Sequence, residues 1–172
     1  MDLTKELAKE AKRKDACKQG YDQLITIAPS DKIAMVQLYL RNIDFCLGND
    51  YPSNEFIKAN FNGVAQDMGV FVDERINVEN APKCVCLGAT NGTITVLGFS
   101  VCEIFAKHDA KINIKAKDNS FVMVDLFDNA VINIHAFDRA KVCVNRYGGV
   151  VNTIHSDEES RVKIIEKETK SY

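Results

Sequence analysis

Residues 110–149 read AKINIKAKDN, SFVMVDLFDN, AVINIHAFDR and AKVCVNRYGG, four decapeptides in a single frame. Each opens on a small residue, carries apolar residues at its third and fifth places and closes on a pair suited to a turn. Inward and outward residues alternate over Lys111–Ile114 and its copies, which is the period of a β-strand. Upstream, Cys102/Ile104 keeps the frame. Downstream it falters at Asn152/Ile154 and recovers at Val162/Ile164. Self-similarity at a short fixed period marks a solenoid.

One decapeptide is too short to be a whole coil. Ten residues of strand cover roughly 33 Å, while two sheets packed face to face lie about 10 Å apart, so the crossings would consume most of the chain. Twenty residues, about 66 Å, close comfortably. The coil is then two decapeptides, with equivalent positions stacked at i+20. Ile112 lies beneath Ile132, and Ile114 beneath Ile134 and Ile154. Cys102, Val122, Val142 and Val162 form one column of the other sheet, with Ile104, Val124, Val144 and Ile164 beside it. Each buried aliphatic contributes roughly 1.5–3 kcal/mol, but only when coils stack. A meander of antiparallel hairpins uses the same alternation, yet it gives no reason for strict ten-residue spacing. The parallel β-helix is favoured, wound right-handed as parallel crossovers are.

The N-terminal part has a different pattern. Leu3, Leu7 and Ala11 predict a helix over 3–18, interrupted near Gly20. Pro29-Ser30-Asp31 reads as a stop and a new N-cap, followed by a largely apolar helix over 31–47 that Gly48 ends in a left-handed cap. Tyr51-Pro52-Ser53 offers another cap before a short helix with Phe56, Ile57 and Phe61, and 64–68 adds a turn. Val70-Phe71-Val72 is the first strand-like piece; Lys83–Leu87 and Thr93–Leu97 follow, out of frame with the repeat. Composition shifts near residue 75. The expected fold is α+β, mainly β: a helical N-terminal cap region over 1–75, then a short parallel β-helix over 76–172. The helix over 31–47 is expected to cover the first coil, and the charged RVKIIEKETK (161–170) to blunt the last strand edge.

Composition bounds the function. With 46% hydrophobic and 27% charged residues the chain folds, and 22 basic against 24 acidic residues leave a net charge of −2. That balance does not neutralise a phosphate backbone, so nucleic acid is not an expected partner. The start, MDLTKELAKEAKRK, lacks the apolar core of a secretory signal, and no run approaches the roughly 18 residues of a membrane span. The expectation is a cytoplasmic protein without a membrane partner. Six scattered cysteines read as reduced thiols in apolar sites, with Cys84 and Cys86 on one face of a strand. No cofactor or metal is called for.

Candidate sites lie on outward columns and corners. Asn113 and Asn133 stack as an amide ladder, followed by Thr153. Lys115, His135 and His155 share a column in which neighbouring cations favour neutral imidazoles, a place for a pH-sensing or metal role set against plain solvated residues. Asp118, Asp128 and Asp138 recur at corners. Asp118 and Asp138 are neighbours, joined by Glu158, and clustered carboxylates serve glycoside cleavage, although turn chemistry already explains them. Phe127, Phe137 and Tyr147 hold the eighth place of consecutive units, so Phe127 stacks on Tyr147. That edge either closes the core or offers an aromatic strip to a glycan or a partner chain. No phosphate loop, nucleophile elbow, zinc-protease motif or dinucleotide fingerprint is present.

The hexapeptide acyltransferases share only the β-helix, without this period. Pentapeptide-repeat DNA mimics have a comparable small-x-apolar unit, but Asp125, His135 and Asn145 stand where a small residue belongs. Residues 84–172 also carry 11 basic and 11 acidic side chains, unlike an acidic mimic. Bactofilin-like polymers lack a comparable helical N-terminal part. YLRNIDFCLGNDYPSNEFIKANF (39–61), FVMVDLFDNA (121–130) and KVCVNRYGG (141–149) together resemble small β-helix proteins of gut Bacteroidales and their phages. That resemblance implies a phage or mobile-element setting, including the virion, and no activity. The expected function is a non-enzymatic structural or binding protein, acting through the β-helix surface or by self-association with itself or a protein partner. One alternative is a carbohydrate-binding or carbohydrate-active protein using the edge aspartates and aromatics. Another is a partner-binding module acting through the helical cap.

Overall fold

The computed structural model describes residues 2–172. A helical unit runs to Met68 and a β-solenoid unit from Gly69 to Ser171.

The helices begin and end where local hydrogen bonds dictate. Helix α1 (Leu3–Arg13) is capped by Asp2, whose side chain accepts from the Lys5 N–H at 3.1 Å. It ends when Asp15 turns left-handed (φ 56°) and the Ala16 N–H donates to Ala11 O at 3.0 Å, a Schellman closure without glycine. The break therefore precedes Gly20, which sits inside α2 (Lys18–Thr26). The expected helix over 31–47 is two pieces, α3 (Lys32–Arg41) and α4 (Ile43–Gly48). Between them Asn42 leaves helical geometry (φ −113°, ψ 37°), and both its backbone N–H and its side-chain amide donate to Leu38 O, at 3.1 and 2.9 Å. Asp31 caps α3 as expected, accepting from the Ala34 N–H at 2.9 Å. Gly48 remains helical, and the left-handed residue is Asp50 (φ 47°). Ile33, within the stretch expected to be a largely apolar helix, is 57% exposed. Helices α5 (Asn54–Phe61, capped by Ser53) and α6 (Val64–Asp67) complete the unit. No helix among the described residues is long and apolar enough to cross a membrane.

The solenoid is parallel, with about 20 residues and two strands per coil. One sheet stacks β1 (Val70–Val72), β3 (Lys83–Leu87), β5 (Val101–Ala106), β7 (Phe121–Leu126), β9 (Lys141–Arg146) and β11 (Arg161–Glu166). The other stacks β2 (Arg75–Glu79), β4 (Asn91–Val96), β6 (Lys111–Ala116), β8 (Val131–Ala136) and β10 (Val150–Ser156). Val122 pairs with Val142, Val124 with Val144, Ile112 with Ile132 and Ile114 with Ile134. These residues fill the core, and the small residues Ala110, Ala130 and Ala140 are buried with them. Ser120 takes the same small-residue place, its Oγ accepting from the Lys117 N–H at 3.1 Å. The first coil is shorter than the rest: Val70 pairs with Val85 and Arg75 with Asn91. Strand β2, unforeseen in the sequence, supplies that shorter coil.

The faltering at Asn152/Ile154 is a slip of register. Val151 pairs with Ile132, Asn152 with Asn133 and Thr153 with Ile134, and a bulge restores His155 opposite His135. In strict frame Asn152 would face Ile132 in the core. Slipping by one residue turns it outward and brings its amide to within 3.0 Å of Asn133 Oδ1. Ile154, expected beneath Ile134, is extruded at the bulge and 57% exposed. Thr153, expected on the ladder, is displaced from it by Asn152.

Candidate functional site

The corners are built from one backbone state. His108, Asp118, Asp128 and Asp138 have φ of 62°, 63°, 52° and 57°, and Gly88 and Gly98 have 64° and 68° at the equivalent places. Asp tolerates this left-handed turn better than most side chains. Its carboxylate then reaches back one coil. Asp118 Oδ2 accepts from the Gly98 N–H at 2.9 Å, Asp128 Oδ2 from the His108 N–H at 3.2 Å and Asp138 Oδ2 from the Asp118 N–H at 3.4 Å. Asp157 Oδ2 accepts from the Asp138 N–H at 2.6 Å. Asp157, not Glu158, thus extends the Asp118–Asp138 stack. His108 plays the aspartate's part with Nδ1, accepting from the Gly88 N–H at 3.1 Å. These carboxylates hold coil to coil.

The Asp138 N–H, with further donors around Ser160, holds the Asp157 carboxyl below its usual value of 3.8. A lowered pKa contributes stability that is complete above the unfolded value and is lost as pH falls through the folded one. Acid melts should therefore show a loss of stability beginning near pH ~4. Asp157→Asn should flatten that part of the curve relative to wild type. Identical acid limbs for both proteins would show that the contact contributes nothing.

The aromatic edge divides into two stacks. Phe127 and Tyr147 lie face to face, with centroids 4.8 Å apart and planes at 16°. Phe127 is 0% exposed and Tyr147 half-buried, with Lys167 Nζ 5.8 Å from the tyrosine ring. On the opposite edge Phe137 stacks on the His155 imidazole at 4.8 Å and 27°. Tyr147 and His155 keep accessible surface; Phe127 does not.

On the outer face of the second sheet the amide ladder is continuous. Asn133 Nδ2 donates to Asn113 Oδ1 at 2.9 Å, and Asn152 Nδ2 to Asn133 Oδ1. Such ladders satisfy amides between neighbouring coils. Lys115, His135 and His155 are in register beside it. Among the described residues no group of three or more His, Cys, Asp or Glu is placed to hold a metal ion.

All six cysteines are free. Burial pushes the Cys46 thiol up to about 12. The hydrogen bond with Cys84, together with burial, holds Cys102 well above a normal thiol, and burial raises Cys86. A thiol so held is no nucleophile at neutral pH. Cys84, Cys86 and Cys102 are packing residues of the core.

The sequence reading did not single out Asp157 or Asn152. By i+20 spacing Glu158 stands at the Asp138 place, but it does not take the left-handed turn of the other corners, and the carboxylate that reaches the Asp138 N–H comes from Asp157, one residue earlier. Compared with models of protein families, with curated proteins and with solved structures, the chain gives no match.

Proposed function

We propose that the protein is a non-enzymatic structural or binding protein that works through its solenoid and self-associates through the coil at its C-terminal end. The observation that carries this reading is the state of that last coil. Ile132 and Ile134 in the middle coils are 0% exposed, whereas Ile164 keeps 42% of its surface. Strands β10 and β11 end their sheets, and unpaired N–H and C=O groups along such an edge pair readily with another strand. The charges expected to blunt this edge alternate with apolar residues: Arg161 and Lys163 lie on the outward positions, Val162 and Ile164 on the inward ones. The surface that best continues an open β-solenoid is another solenoid end, and this chain supplies one. A two-fold arrangement of two such ends closes on itself and gives a dimer, not a fibre.

The corner carboxylates support the non-enzymatic half of the reading, since backbone donors already occupy Asp118, Asp128 and Asp138. A phage or mobile-element component is the setting that the sequence resemblance suggests. Light scattering on the purified protein should give twice the chain mass, and Ile164→Lys should give the monomer with unchanged far-UV circular dichroism. A wild-type monomer at concentrations used for NMR would overturn the self-association.

A further inference from the structure

Between coils, side chains on this solenoid are matched. Lys83 pairs with Glu103 at 2.9 Å and Arg146 with Glu166 at 3.2 Å. Asn145 donates to Asp125 at 2.7 Å, and Asn133 to Asn113. In one column of the first sheet like charges face each other instead. At the corner entering the first sheet, Lys141 and Arg161 stand directly opposite each other in register, with Phe121 one coil before them. Like charges so placed are destabilising. Arg139 joins them at the same corner, and all three cations are exposed. Among the described residues none of the three takes part in an ion pair. Together with Asn119, Ser120, Phe121 and Glu159 they line a groove of about 480 Å³.

From this we infer that the groove is a binding site for a phosphate or sulfate ester. Stacked strands lie about 4.8 Å apart, so Lys141 and Arg161 present donors on both sides of one tetrahedral oxyanion. Guanidinium groups bond such oxygens through two parallel N–H groups, and lysine adds a point charge. The bound anion removes the Lys141–Arg161 repulsion that the fold otherwise carries. Phe121 supplies an apolar wall for whatever the anion is attached to, which is why an ester fits better than the free ion. Ser120 is 1% exposed, so its hydroxyl presents little to the groove. Glu159 is the one acid in the groove and opposes binding.

The test is calorimetric titration of the full chain at fixed ionic strength with inorganic phosphate, inorganic sulfate and phenyl phosphate, acetate serving as the carboxylate control. Phosphate or sulfate should bind, phenyl phosphate more tightly than inorganic phosphate, and acetate much more weakly. Removing one charge-assisted hydrogen bond weakens binding by about tenfold or more. Arg139→Gln and Lys141→Gln should each do so, while a distant neutralisation, Lys115→Gln, should leave the affinity within about twofold. Glu159→Gln should tighten it. Failure of all the oxyanions to bind would overturn the assignment. Equal weakening by Lys115→Gln would also overturn it, reducing the effect to general surface charge.

Discussion

Phe127→Ala is expected to lower stability by about 3–5 kcal/mol, the range for emptying a buried phenylalanine site. The ring is 0% exposed and stacks on Tyr147 at 4.8 Å. The backbone there is fixed as well, because the Phe127 N–H donates to Ala106 O at 2.9 Å. Truncation therefore leaves a cavity at a corner that cannot collapse without breaking the ladder. Urea melts should show a lower midpoint with an unchanged slope. Tyr147→Ala should cost less, since that ring keeps part of its surface in water. The comparison decides what the aromatic edge is for. A ring used for ligand contact would show the opposite order, with Phe127→Ala near wild-type stability.

Much of the solenoid was legible in the sequence because its information is one-dimensional. The spacing of Ile112, Val122, Ile132 and Val142 states the strand period, and contour length states that two decapeptides make one coil. Those two facts place Phe127 on Tyr147 and His135 beside Lys115. What the sequence hid lies where competing local terms are close in energy. Asn42 divides a helix whose apolar periodicity runs straight through it, because its backbone leaves helical geometry while its side-chain amide adds a second bond to Leu38 O. At Asp15 and Asp50 the left-handed turn falls on aspartate while a glycine stands nearby, so reading glycine as the stop misplaces both ends. The corner aspartates were visible as turn residues, but their grip on the preceding coil's N–H groups is a three-dimensional consequence of stacking. The like-charged pair Lys141 and Arg161 could be found from sequence alone once the coil length is known. It takes comparison with the matched pairs elsewhere to see it as an exception.

Gly149→Ala should cost roughly 3 kcal/mol, the sum of backbone strain and a steric clash. Gly149 has φ 73°, and a Cβ there would sit 2.2 Å from Ala130 O and 3.1 Å from Leu126 Cγ. Ala130 O cannot retreat, since it accepts the Val150 N–H at 2.9 Å and so docks β10 onto β8. The glycine permits the tight corner by which this coil runs one residue short. That short corner is what turns Asn152 onto the amide ladder and Val151 toward the core. Gly98→Ala provides the control: its φ is 68°, yet nothing lies within 4 Å of an added Cβ. It should show only the left-handed penalty of about 1–2 kcal/mol. Because each coil contacts only its neighbours, the damage from Gly149→Ala should be local. Hydrogen exchange should accelerate through β10 and β11 while β4, β6 and β8 keep most of their protection. The open end proposed to self-associate is built on those same two strands, so the variant should also lose the dimer. Equal stability for the two alanine variants would mean that the short corner relaxes freely, and that the slip of register is not held by Gly149.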